Sequence, residues 1–359
     1  WIGGTPKLPA GVTWPRNNGV PAVFVAQIAL ADLPETTFGG RGPRDASIAF
    51  FTDPQNTRTH AVLVSGTLTA VTPPQQDTLD TLWAEWQLLW TEQEETLKPY
   101  APDQRRTRPR WYLEVADANA PAPEKDEVVR ERHHQAARAV YDAWEKAFHW
   151  DDDTYQPFDW PSTLFCLDAI AHTLDTWLER PAAMPTYDTQ AETDAFAARV
   201  ALRRDALTEI IAEVREIAQS VPYSAEIGAA LRKDLRALPI VSDPSRPTYA
   251  QGLLAYGRGS AWVQGYEPLA RRAYTHAPDS LPAPVRNALE PVWAAQAAHE
   301  MVFVGDSRPA PRSTPGEDTL LDLPSSHLTG MNFNDMARWT VVNPAGDLSN
   351  GRVDRAEAV

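Results

Sequence analysis

The chain has 359 residues, enough for a sizeable core in one composite domain or in two smaller ones. Hydrophobic residues make up 43% and charged residues 23%, which sets aside global disorder, and no run reaches the roughly 20 apolar residues of a membrane-spanning helix. The formal charge of −15, from 33 basic against 48 acidic residues, opposes a phosphate backbone and suits a basic protein partner; nucleic acid and membrane are not expected.

Cys166 is the only cysteine, so no intrachain disulfide and no multi-cysteine metal site can form. A reducing, cytoplasmic setting without a cofactor is the expectation. A chain that opens on Trp1 rather than Met leaves room for an N-terminus already trimmed.

The first stretch, WIGGTPKLPAGVTWP, is too punctuated for a helix. Gly3 and Gly4 permit backbone conformations that other residues avoid, while Pro6, Pro9 and Pro15 fix φ and extend the residues before them. The reading is a structural clamp: an extended loop whose Leu8 and Trp14 pack onto a neighbouring sheet, held by burial instead of a regular hydrogen-bond ladder. Strands are predicted at AVFVAQIAL (Ala22 to Leu30), ASIAFFTD and HAVLVSGTLTAVTPP, so residues 1–74 form a β region.

From about Thr78 the period becomes helical. Leu79, Trp83, Trp86 and Trp90 share one face, and Val129, His133, Ala136, Val140 and Trp144 another. A third stripe runs Leu164, Leu167, Ala171, Leu174, Leu178, and the cleanest runs Leu207, Ile210, Ile211, Val214, Ile217. Further helices are predicted at Ala225 to Leu238 and Pro284 to Ala298. Near Met301 the period reverts: MVFVG and RWTVVNPAG read as strands, and DSRPAPRSTPGED as a surface loop. The fold class is α+β, a β-rich core (1–74 and 301–359) with a large helical insertion (75–300).

Gly3, Gly4, Pro6, Leu8, Pro9, Trp14, Pro15, Gln27, Ile28, Phe50 and Phe51 stand in a GG-x-P-x-LP, WP, Q-I and FF pattern. This spacing resembles the opening signature of the YwqG-like family, a bacterial domain of unknown function. The resemblance covers residues 2 to 53, with an echo at HLTGMNF (His327 to Phe333). It implies a β-rich core and no established catalytic chemistry. Relatives found beside bacterial toxin-secretion genes imply an immunity or adaptor role.

Several groups of residues invite chemistry. The turn Gly305-Asp306-Ser307 is similar to the nucleophile turn of GDSL-type hydrolases, with His327 and Asp322 as the nearest partners; the Asp-x-x-His motif is absent, and a strand-to-loop turn is the competing reading. His133, His134 and His149 with Asp151 to Asp153 suggest a divalent metal, against a packed histidine and a solvated acidic helix end. Asp168 and His172 are spaced as an acid–base pair or as a helix-stabilising pair. The tryptophan stripe is an aromatic platform or core, and the glycines of YGRGSAWVQGYE lack a nucleotide-binding context. Arg105, Arg106, Arg108 and Arg110 form a basic cluster that meets an anionic group or is solvated. The leading expectation is a non-enzymatic protein-interaction module, an immunity or adaptor protein for a basic partner. The alternative is a hydrolase using Ser307 and His327, or a metal enzyme using His133 and His149.

Overall fold

The computed structural model describes residues 1–53, 58–74, 110–112, 115–116, 157–180, 189–237, 266–300, 302–306, 316–326, 328–331, 333 and 338–359, with single positions between 127 and 138. The architecture is mixed α+β, with several sheets and a helical region placed in sequence as an insertion. Two compact units emerge. One comprises Trp1–Glu92, Asp103–Val140 and Glu290–Val359; the other comprises Gln93–Pro102 and Tyr141–Leu289.

In the first unit, β1 (Lys7–Pro9), β2 (Arg16–Asn17) and β3 (Val20–Pro21) lead into a three-stranded antiparallel sheet of β4 (Val23–Ala29), β5 (Ala46–Thr52) and β6 (Thr59–Ser65). A turn at Gly66 separates β6 from β7 (Leu68–Ala70), where one continuous strand was predicted. A five-stranded sheet has the order β12 (Glu357–Ala358), β11 (Arg338–Pro344), β10 (Glu317–Pro324), β9 (Val302–Asp306), β8 (Val115–Ala116). Among the described residues of this sheet, β8 and β9 are the pair that runs parallel.

Strand β5 explains how the two sheets share one core. Its side chains alternate: Ala46, Ile48 and Phe50 meet Val302, Val304, Leu321, Leu323, Trp339 and Val341 from the other sheet, while Ala49 and Phe51 turn to the opposite face. Phe50 and Phe51 are both fully buried, each contributing about 1.5–3 kcal/mol of apolar transfer. A bulge in β4 between Phe24 and Ala26 shifts the alternation by one residue. Phe24 and Gln27 therefore share the face opposite the main core, although they stand three residues apart.

The clamp folds onto that face. Leu8, Trp14, Ala22, Phe24, Phe51 and Val64 form a second cluster, with Trp14 edge-on to Phe51 at 5.1 Å and its indole nitrogen donating to Ala22 O at 2.8 Å. The expected absence of a ladder is corrected. β1 pairs antiparallel with β7 (Lys7↔Ala70, Leu8↔Thr69, Pro9↔Leu68), and Pro6 O accepts from Val71 N at 2.9 Å. With Pro6 and Leu8 facing β7, Lys7 turns its backbone the other way. There the buried Gln27 amide accepts from Lys7 N at 2.8 Å and donates to Lys7 O at 3.0 Å.

The second unit contains α1 (Trp160–Glu179), α2 (Gln190–Ser220), α3 (Ala225–Ala237) and α4 (Glu267–His276). The sequence of α5 (Ala283–His299) runs across the boundary between the units. Capping boxes open α1 (Asp159 with Ser162) and α2 (Thr189 with Glu192). α1 and α2 lie antiparallel, burying Leu167, Ala171 and Leu174 against Phe196, Val200, Leu207, Ile211 and Val214. Of the stripes read from the sequence for these two helices, Leu167, Ala171, Leu174, Leu207, Ile211 and Val214 are buried, Leu164, Ile210 and Ile217 are half-buried, and Leu178 is 37% exposed. α2 begins well before the Leu207 stripe, at Gln190.

Candidate functional site

The residues singled out for chemistry have different fates. Ser307, His327, His133, His149, Arg105, Arg106 and Arg108 lie outside the described residues, as do Trp83, Trp86 and Trp90. Asp322 is described. On β10 it points away from the main core, and Arg338 Nε donates to its Oδ1 at 2.9 Å while Thr340 Oγ1 donates to the same oxygen at 3.2 Å. Both side chains of this ion pair are under 10% exposed, and the Arg338 guanidinium lies 5.1 Å from the Phe303 ring centre. Asp322 is thus committed to a buried charge pair.

Arg110 belongs to the clamp. Its guanidinium sits 5.6 Å over the Trp1 ring, and Trp111 exchanges backbone hydrogen bonds with Ile2 in both directions at 2.9 Å. The double glycine makes this approach possible. Gly3 and Gly4 hold φ of 65° and 68°, and a Cβ on Gly4 would stand 2.9 Å from Arg110 Nε.

The loop after β10 is built by serines. Ser325 Oγ accepts from Phe333 N at 2.9 Å, Ser326 N donates to Met331 O at 2.8 Å, and Ser326 Oγ donates to the buried Glu300 carboxylate at 2.5 Å. Trp111 Nε1 donates to Leu328 O at 3.0 Å, tying this loop to the end of the clamp. Leu328, Thr329 and Phe333 are fully buried, so the described part of that echo, 328–331 and 333, belongs to the core. Among the described residues no group of three or more His, Cys, Asp or Glu gathers as a metal site, and no helix is long and apolar enough to cross a membrane.

Charge is organised most clearly along α2. Arg204 and Arg215 turn towards α1. Arg204 binds Asp175 in a two-point pair (2.6 and 2.8 Å), and Arg215 Nη2 lies 3.0 Å from both oxygens of Asp168. Asp175 holds the Arg204 guanidinium above its ordinary pKa through that hydrogen-bonded pair. Asp168 is thereby a partner of Arg215, and His172 beside it is exposed.

The opposite face of α2 carries Asp205, Glu209, Glu213 and Glu216, all exposed. At 1.5 Å per residue they line about 16 Å of helix. Among the described residues none of the four is in an ion pair, although Asp205 helps to hold the Arg204 guanidinium above its ordinary pKa. Neighbours three and four apart with the same sign oppose helix formation by about 0.2–0.5 kcal/mol each, so this acidic stripe stands at a cost. Leu202, 62% exposed, lies on the same side one turn before Asp205. Sequence reading missed the stripe because it was following the apolar positions of the same helix.

Comparison with known families bears on the first unit. Residues 1–156 match the model of a family described as a domain of unknown function (DUF1963). Over those residues the chain is similar to the YwqG-like, DUF1963 family. No curated protein and no solved structure matches the chain. The DUF1963 match runs well past residue 53, where the signature read from the sequence stops, into the stretch whose sequence has a helical period. Within its described part, the signature residues are the ones that build the clamp: Gly4 admits Arg110, Trp14 packs on Phe51, and Gln27 receives Lys7.

Proposed function

We propose that this protein is a non-enzymatic interaction module of the cytoplasm that engages a basic protein partner, in an immunity or adaptor role. The observation that supports this reading is the acidic stripe Asp205, Glu209, Glu213, Glu216 on α2, exposed and in no ion pair among the described residues, in a chain of net charge −15. Such a face draws a cationic surface by long-range attraction and gives it several carboxylates to pair with. Leu202 adds an apolar point beside the charges. The clamp and the Asp322–Arg338 pair are then scaffold, their polar groups spent on internal contacts.

The test is a paired capture from lysate of the source cells with tagged wild type and a Glu209→Lys/Glu213→Lys variant, at moderate and at high salt. A basic protein held by wild type, released by salt and lost from the variant supports the reading. The same protein held equally by both removes α2 as the binding face.

A further inference from the structure

We infer that the outer end of the clamp, at Trp1, Lys7, Arg110 and Tyr112, docks an acidic segment of a protein partner, whose carboxylates pair with the two cations while its apolar side chains cover the two rings. The backbone brings these four residues together. Ile2 and Trp111 exchange both backbone hydrogen bonds at 2.9 Å in an antiparallel bridge, which sets Trp1 opposite Tyr112 and Gly3 opposite Arg110 as closely spaced neighbours. Ile2 is buried in the main core, so the residues on either side of it turn to the other face. There Trp1 packs against the clamp cluster, with the Arg110 guanidinium 5.6 Å and the Lys7 ammonium 5.7 Å from its ring centre.

These residue types are the ones that carry binding energy once a partner covers them. Tyr112 is 73% exposed, more than any other large apolar side chain among the described residues. Tyrosine, tryptophan and arginine dominate the buried centres of interfaces because each combines a broad apolar surface with a polar tip. Lys7 is exposed as well, and although Gln27 takes up its backbone, the ammonium group projects to the Trp1 ring.

The polar groups gathered here are donors. Trp1 Nε1 and Arg110 Nε are both buried without a hydrogen-bond partner, and Lys7 stands over the same indole. Two like charges on one ring repel each other; a carboxylate set between them relieves that repulsion and accepts from the donors. Asp32, whose charge reaches this end of the clamp, is in no ion pair with either cation among the described residues. Arg110 is also held in place, since Gly4, at φ of 68°, has no Cβ to stand against its Nε.

Charge decides the kind of partner. In a chain of net charge −15, four arginines fall at 105, 106, 108 and 110, and the last of them is in this surface. A nucleic acid or an anionic membrane meets the molecule with many phosphates at once and is repelled by its excess of carboxylates. A short acidic peptide brings a few carboxylates to the one locally positive place. Free phosphate would satisfy the donors and leave both rings uncovered. The inference is independent of the stripe on α2, because an acidic probe is repelled there and its binding reports the clamp.

The experiment selects a random peptide library, displayed on phage, against the full chain. An enriched peptide is then labelled and titrated by fluorescence anisotropy against wild type, Lys7→Glu, Tyr112→Ala and Arg110→Met. The Lys7 and Tyr112 side chains are exposed, so those two variants alter the surface without opening the core. Enriched sequences should carry Asp or Glu beside an aromatic or aliphatic residue. Kd should weaken about tenfold in Lys7→Glu, and about fivefold in Tyr112→Ala and in Arg110→Met. A library that yields no binder, or enriched peptides with no acidic bias, overturns the inference. So does a peptide that binds Lys7→Glu and Tyr112→Ala as tightly as wild type, or an oligothymidylate of equal charge that binds as tightly as the peptide.

Discussion

Replacing Gly228 by alanine sets two effects of opposite sign against each other. Gly228 lies inside α3, where alanine is favoured over glycine by about 1 kcal/mol on helix propensity alone. A Cβ there, however, would stand 2.0 Å from the Tyr223 hydroxyl oxygen and 2.9 Å from its ring carbon Cζ. The tyrosine cannot simply swing aside. Its hydroxyl donates to Pro157 O at 2.6 Å and its ring lies edge-on to Trp160 at 5.4 Å, at the start of α1. Burial pushes the phenol pKa up to about 12.

Displacing the ring forfeits the hydrogen bond, about 0.5–1.5 kcal/mol with a further cost for the stranded carbonyl, and the aromatic contact, about 0.5–1.5 kcal/mol. The losses outweigh the propensity gain. Gly228→Ala should therefore destabilise the protein by about 1–2 kcal/mol in urea unfolding followed by far-UV circular dichroism. Tyr223→Phe removes the nearer contact and leaves the one at 2.9 Å, so the double variant should be less destabilised than the sum of the single ones. A Gly228→Ala protein as stable as wild type, or more stable, refutes the reasoning.

Other predictions concern the clamp, the buried charges and the acidic face. Gln27→Leu strands Lys7 N and O together and should cost about 1–3 kcal/mol in the same unfolding assay. Arg338→Met leaves Asp322 buried without its counter-charge and should cost about 3–5 kcal/mol, most of it recovered by Asp322→Leu/Arg338→Met. Asp347 bonds Arg352 and Arg355, and chiefly Arg355 holds its carboxyl below the ordinary value of 3.8. A depressed carboxylate contributes stability that is present above its unfolded value and lost as pH falls through the folded one, so Asp347→Asn should flatten the acid limb of the stability profile below about pH 4. Glu209→Lys turns two like-charged neighbours into opposite pairs, Asp205 in the better orientation, and should raise stability by about 1 kcal/mol while weakening partner binding.

The parts of the fold legible in the sequence were those whose logic is local. The apolar run of β5 and the 3.6-residue stripes of α1 and α2 mark themselves because each buries the apolar side chains that define it. β10 did not. Its Asp318 and Asp322 look like surface residues, yet both are buried, neutralised by Arg41 from 277 residues away and by Arg338 from the neighbouring strand. α4 was missed for the same reason: Glu267, Arg271 and Arg272 are all buried, which no amphipathic pattern anticipates. Gln27 stood out through the family signature, but its work depends on a bulge in β4 and on the phase of the β1–β7 ladder. The acidic stripe was in plain view as net charge. Its separation from the paired arginines of α2 needed α1 in place.

The central claim is that the carboxylates of α2 carry partner recognition. It is tested most directly by calorimetric titration of the captured basic protein against wild type and Glu209→Lys/Glu213→Lys at two salt concentrations. The account predicts affinity about tenfold or more weaker for the variant, about 1.4 kcal/mol, and a wild-type affinity that falls with salt more steeply than the variant's. Equal affinities with equal salt dependence would contradict it.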